Sequence, residues 1–192
     1  MRVNVLFLRW DIMTKLTRKQ EQLICSANQL FDKQGFSATG IDQIIQASNV
    51  ATMTLYRNYK SKDDLIVAVL KYREDVYMNF LESNNNKTLE HMIEQHLEWL
   101  KSKNTNGCLF LKAMEEFRHS NQEIVDIVSN HKIKVAKLIE EKLESENYHN
   151  IKDLAKKLLF ILEGSTSMIE HMDFADVKSI TISLSKGVLN NE

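Results

Sequence analysis

Proline is absent from the 192 residues, and glycine and cysteine occur only five times and twice. Turns must therefore come from Asn, Ser, Asp and the few glycines, while long periodic segments run without a breaker. Cys25 and Cys108 lie far apart in apolar helical patterns, so they offer neither a disulfide framework nor metal-ligand spacing. No apolar run approaches the ~18 residues that a membrane span needs. The opening MRVNVLFLRWDIM does not read as a secretory signal: its apolar run Val3 to Leu8 is short, contains Asn4, ends at Arg9 and lacks a small-residue cleavage site. These absences point to an all-α, cytoplasmic protein with no membrane segment. Residues 1–16 read as an N-terminal tail; Met13, followed by TKLTRKQEQL, is the more usual entry to what comes next.

Charge is divided unevenly. Residues 1–62 carry nine Lys/Arg against four acids, net +5, whereas the remaining 130 residues hold 16 basic and 22 acidic side chains, net −6. Such a split fits a basic domain that meets a polyanion and an acidic domain that does not.

The basic part is densely punctuated. Thr17 to Gln34 reads as a helix with Leu23, Ile24, Ala27, Leu30 and Phe31 on one face, stopped by Gly35. A second helix is expected from Thr39, with TGID as its cap and Ile41, Ile44, Ile45 and Ser48 as its buried stripe. Asn49 ends it, because Asn tolerates the left-handed conformation common at helix C-termini. A short third helix runs from about Ala51 to Asn58, and Ser61 caps a fourth through SKDD, with Leu65, Ala68, Val69, Tyr72 and Val76 on one face. Helix, short turn, helix is the pattern of a helix-turn-helix, whose second member lies in the DNA major groove; any small helical bundle has tight turns too.

The residues beyond the turn sharpen the reading. Thr52, Met53, Thr54, Tyr56, Arg57, Tyr59, Lys60 and Lys62 form the expected exposed set, with Val50 and Leu55 as inward anchors. Short hydroxyls and free N–H groups at a helix start suit phosphates or base edges, and Met or a Thr methyl can touch a thymine methyl. Tyr56 can donate to a phosphate and Lys62 can add a charge beside it. The competing readings are core packing for Tyr59, a solvated charge for Lys60 and a cap neighbour for Lys62.

The segment RKQEQLICSANQLFDKQGFSATGIDQIIQASNVATMTLYRNYKSKDDLI resembles the N-terminal domain of the tetracycline-repressor (TetR/AcrR) family of transcriptional regulators. Its LF, GF, T.ID.I and V...TLY..Y.SK..L elements stand in the family's order and spacing over roughly residues 17–66. The resemblance implies a three-helix DNA-binding domain over 17–62, with the third helix for recognition. Thr39 joins the implied DNA-binding set; Thr54, Tyr56 and Lys62 match phosphate-contacting positions, while Thr52, Met53 and Arg57 match positions that reach bases. Asn49 stands where a turn glycine is common, and Thr52 where a Lys is frequent, which weakens the electrostatic part of binding more than it alters the fold.

Residues 63–192 read as a larger helical domain. Leu89, Met92, Ile93, His96, Leu97 and Leu100 share one face, as do Leu109, Phe110, Ala113, Met114 and Phe117, and then Ile124, Ile127, Val128, His131, Val135, Leu138 and Ile139 from a helix that Asn121 opens. NYHN breaks the chain. The following segment to Met172 has an apolar surface too wide for one contact, so it is expected to pack its own domain and, with the last helix (Val177, Ile180, Leu184, Val188), a partner subunit. NGCLFLKAMEEF and NHKIKVAKLI resemble, more loosely, an effector-binding and dimerisation domain of one branch of the family. Trp99, Phe110, Met114, Phe117, Phe160 and Met168 are candidate linings of an apolar effector pocket, with plain core as the alternative for each. His96, His131 and His171 read as satisfied interior histidines, and Cys108 as an inert thiol or an oxidant sensor.

No phosphate loop, nucleophile elbow or metalloprotease His pair occurs, and the acid pairs Glu115–Glu116 and Glu140–Glu141 read as solvated. The expected protein is therefore not an enzyme and takes no cofactor or metal. It is a homodimeric regulator, most often a repressor, that binds a palindromic duplex operator and is released by a small molecule. The alternative is a helical dimer whose first domain serves protein contact.

Overall fold

The computed structural model describes residues 16–82, 88–102 and 106–190. The expected tail, apart from Leu16, lies outside the described residues. Among the described residues the chain forms nine α-helices and no strand: α1 Arg18–Gln34, α2 Ile41–Ser48, α3 Thr52–Asn58, α4 Lys62–Leu81, α5 Leu89–Ser102, α6 Leu109–Phe117, α7 Gln122–Ser145, α8 Ile151–Met168 and α9 Phe174–Asn190. The all-α expectation holds. None of these helices is long and apolar enough to cross a membrane.

The chain divides into two compact units. The first takes in the sequence up to Asn79 together with Leu109–Ser129; the second takes in Phe80–Cys108 and Asn130–Glu192. Both changes of unit within helices, in α4 and α7, occur where the helical pattern itself is unbroken.

In the first unit, Thr17 caps α1 by accepting from the Gln20 N–H, while the Gln20 side chain accepts from the Thr17 N–H. The reciprocal pair satisfies two donors that a helix start otherwise leaves bare. Gly35, at φ 83°, closes the helix by donating its N–H to Phe31. Leu23, Ile24, Ala27 and Phe31 are buried, as are Phe36, Ile44, Leu55, Leu65 and Val69. Phe36 is the hub of its aromatic corner, with ring centroids 4.8 Å from Phe31 and 5.6 Å from Phe117. Arg73 of α4 reaches into this core to bond Asp32 at 3.0 Å, and both side chains are buried. The 3.6-residue pattern of α4 marked its apolar face but not this ion pair.

In the second unit the expected α5 face is buried throughout, and Phe80 packs on Trp99 at 5.5 Å. Asn147 and Asn150 both take positive φ, which is how NYHN turns the chain between α7 and α8 without glycine or proline. His96 is interior as expected, with Nε2 2.9 Å from the Ser165 hydroxyl. His131 is also buried, but His171 is exposed, so its expected interior place is corrected. It follows the end of α8, where the apolar period no longer faces the core.

Burial pushes the His96 pKa down to about 4, assisted by the Lys132 charge and opposed by the Leu162 backbone. The folded state thus refuses a proton that the unfolded chain accepts near pH 6.5, so stability is complete above that pH and is lost as the pH falls toward 4. Between pH 7 and 5 the loss is about 2 kcal/mol. Urea unfolding at the two pH values should show it, and His96→Gln should flatten the dependence. A parent midpoint that does not move would contradict the buried neutral imidazole.

Candidate nucleic-acid interface

The turn before α3 is set by Asn49, which adopts the left-handed conformation (φ 54°, ψ 37°) that the sequence assigns to it. Asn pays less than a branched residue for this geometry, so the common turn glycine is dispensable here. Val50 and Leu55 drop into the core beneath. Helix α3 is thereby fixed by its inner side, and Thr52, Met53, Tyr56 and Arg57 are left exposed, with Met53 at 82% and Tyr56 at 50%. Their spacing of one and four residues puts all four on one helical face. A thioether, a hydroxyl, a phenol and a guanidinium side by side combine apolar and hydrogen-bonding contact with positive charge.

Three of the expected contacts are placed differently. Thr54 is buried at 8%, because it lies on the inner side of the seven-residue helix beside Leu55; it is not part of the exposed set. Tyr59 is likewise buried, following the core-packing alternative, and burial raises its phenol pKa. Thr39 is wholly buried and donates its hydroxyl to the Gly35 carbonyl at 2.7 Å. It does not cap α2 either: Gly40 occupies the cap position, and its N–H is taken by the Gln43 side chain at 2.8 Å. Thr39 instead locks the Gly35 turn, and the cap position passes to Gly40. Lys60 is exposed, while Lys62 is half-buried and donates to the Phe36 carbonyl at 2.7 Å. Ser61 caps α4 as expected, with the Asp64 carboxylate accepting from the Ser61 and Lys60 N–H groups in return.

Glu116 is the residue that sequence reasoning missed. It was expected to be solvated, but its carboxylate accepts from the Phe36 N–H at 2.9 Å, the Ser37 N–H at 2.6 Å and the Ser37 hydroxyl. Gly35 leaves room for it, since a Cβ there would stand 3.0 Å from the carboxylate oxygen. Burial alone would raise its pKa, yet the Ser37 hydroxyl, the two N–H groups and the Lys62 charge outweigh that and hold it below the ordinary value.

The candidate effector residues fall in both units: Phe110, Met114 and Phe117 in the first, and Trp99, Phe160 and Met168 in the second. Trp99 and Phe110 are buried, Met114 and Phe117 half-buried. Phe160, at 82% exposure, and Met168, at 42%, line no enclosed cavity, which corrects their place in that set. The second unit has an open cavity of ≈ 330 Å³ walled in part by Leu89, Ile93, Ile182 and Leu189, and none of the six candidates lines it. Cys108 is half-buried, with the Lys132 ammonium at 3.8 Å and the same ammonium held by Glu163 at 2.6 Å. No group of His, Cys, Asp and Glu among the described residues could hold a metal ion.

Comparison with known proteins places this architecture. The transcriptional regulator TcmR of Streptomyces glaucescens is 32% identical over 68 residues, covering 35% of this chain and 30% of that protein. HbdR of Aromatoleum sp. is 36% identical over 59 residues, 31% of this chain and 26% of that regulator. The matched stretch thus spans less than a third of these curated relatives. A TetR-family transcriptional regulator from Streptomyces coelicolor shares the fold along 90% of this chain and 95% of its own, with a TM-score of 0.82 at 22% identity. The family model for bacterial regulatory proteins, tetR family, matches residues 23–69, which run from α1 through the whole helix-turn-helix into α4. Residues 23–69 thus match the tetR family of bacterial regulatory proteins in sequence, and the chain as a whole is similar to a solved regulator of that family in fold.

Proposed function

We propose that the chain is a sequence-specific, DNA-binding transcriptional regulator that works as a homodimer and answers to a small molecule. The observation that carries the reading is the exposed face of α3, where Thr52, Met53, Tyr56 and Arg57 stand together on a helix anchored by Val50 and Leu55. Arg57 and Met53 have the reach for base edges, and the Tyr56 hydroxyl suits a phosphate. In the second unit, the exposed apolar residues of α8 (Phe160, Met168) and α9 (Ile180, Leu184) support self-association through these two helices. Two heads related by a twofold axis call for a palindromic operator with half-sites ~34–36 Å or a multiple apart. Repression is the reading of choice, with release by an effector bound in the second unit.

The test is fluorescence anisotropy with the DNA upstream of the protein's own gene and with a scrambled duplex, at ~150 mM salt, where non-specific binding is weak. Tight binding confined to one sequence supports the regulator. Tyr56→Ala should weaken binding to every duplex alike, by about tenfold for a lost charge-assisted phosphate bond. Arg57→Ala should instead flatten the preference among operator variants by about 1–3 kcal/mol at one base position. A folded Tyr56→Ala protein that binds undiminished removes that residue from the interface.

A further inference from the structure

Within the first unit lies a polar assembly that the recognition face does not use. Glu116, in the last turn of α6, fills a small anion nest made by the successive N–H groups of Phe36 and Ser37 and closed by the Ser37 hydroxyl. Lys62, at the start of α4, bonds the carbonyl of the same Phe36 at 2.7 Å. The acid and the cation therefore hold the two ends of one residue, and the Lys62 charge acts on the Glu116 carboxyl. Around them, the Lys112 ammonium donates to the Asp32 carbonyl at 3.0 Å and the Asn121 side chain to Asp63 at 2.8 Å, so α6 and its following turn are tied to α1 and α4 as well.

Lys62 follows the exposed face of α3 by one turn of chain and is a cation within that basic segment, but its ammonium is engaged by a backbone carbonyl. We infer that Glu116 sets the strength of DNA binding by fixing the 35–37 turn, whose Phe36 carbonyl holds the Lys62 ammonium in reserve, so that this carbonyl and a DNA phosphate compete for one cation. The inference rests on the DNA-binding reading above. Glu116 itself touches no DNA: it is a positioning residue that acts through Lys62 and the turn at 35–37. When the nest loosens, the Phe36 carbonyl gives up the ammonium, whose donors and charge are what the phosphate gains.

The test is a double-mutant cycle on the full-length protein: parent, Glu116→Gln, Lys62→Ala and the pair, each titrated with the native duplex across salt concentrations. Glu116→Gln keeps the size and an acceptor for the nest but removes the charge. It should bind several-fold tighter, and its slope of log affinity on log salt should steepen by about one phosphate contact, ~0.9. Lys62→Ala should cost little in the parent and abolish the whole gain in the pair. A residue that only supports the fold would instead weaken binding when changed and leave the salt slope alone. Ser37→Ala, which removes one donor from the carboxylate, should move affinity and slope the same way by a smaller amount, and it decides the matter if Glu116→Gln does not fold. Unchanged salt slope in the folded variants, or a gain that survives loss of Lys62, overturns the inference. Absence of any DNA binding by the parent is a different result, and it overturns the regulator reading instead.

Discussion

Arg73→Ala should destabilise the protein by about 3–5 kcal/mol, the usual cost of stranding one partner of a buried ion pair. Arg73 and Asp32 are 3.0 Å apart, with side-chain exposures of 7% and 13%, and a second guanidinium nitrogen reaches Asn28 at 3.4 Å. Removing the guanidinium leaves a carboxylate in the core beside α1, where water cannot replace the lost contact. A whole domain has only about 5–15 kcal/mol to lose, so this one change would bring the first unit close to unfolding. The matched replacement Asp32→Leu with Arg73→Met should recover most of the loss, because apolar residues of similar volume need no partner. Urea unfolding followed by helical circular dichroism distinguishes the cases. A single variant as mild as the paired one would mean that water reaches the pair.

What the sequence made legible were the features encoded within a few residues. The cap at Ser61, the stop at Gly35, the left-handed Asn49 and the turns at Asn147 and Asn150 depend on neighbours in the chain, and each stands where the local chemistry puts it; Thr17, read as the first helical residue, is the cap one position before it. The inner face of α5 was legible for the same reason, since helical periodicity is local. Failures came where two local solutions were nearly equal. Thr39 and Gly40 both suit the start of α2, and Thr52 and Thr54 flank one residue of a helix only seven residues long. Which hydroxyl turns inward there depends on the core below. Contacts between distant segments were not legible at all: Glu116 meets Ser37 across 79 residues and Arg73 meets Asp32 across 41, and no periodicity records such pairs. The exposure of Phe160 was half legible, because the apolar surface of α8 was too wide for one core, although Phe160 and Met168 were also assigned to a pocket.

That surplus apolar surface leads to the other large effect. In the homodimer proposed above, Phe160→Glu or Leu184→Glu should leave monomers, raising the dissociation constant by about a thousandfold. Phe160, Gly164 and Met168 follow one another at four-residue spacing along α8, and Ile180, Leu184 and Val188 do so along α9. Phe160 is 82% and Leu184 53% exposed, and nothing lies within 4 Å of where a Cβ would stand at Gly164 or Gly187. In that proposal the stripe of large apolar side chains alternating with bare backbone receives the same stripe from another copy across a twofold axis. Each copy carries the substitution, so a cost of about 2 kcal/mol per buried carboxylate counts twice. Neither side chain belongs to the core of its own chain, and the helical circular dichroism of both variants should therefore match the parent's. Ile133→Glu is the control, since Ile133 is 63% exposed but lies on α7, outside both stripes, and should leave the assembly intact. Sedimentation velocity at micromolar concentration reads the outcome directly. Loss of the dimer should carry loss of operator affinity with it, because a single head engages only one half-site. A Phe160→Glu protein that still sediments as a dimer would place the self-association surface elsewhere in the chain.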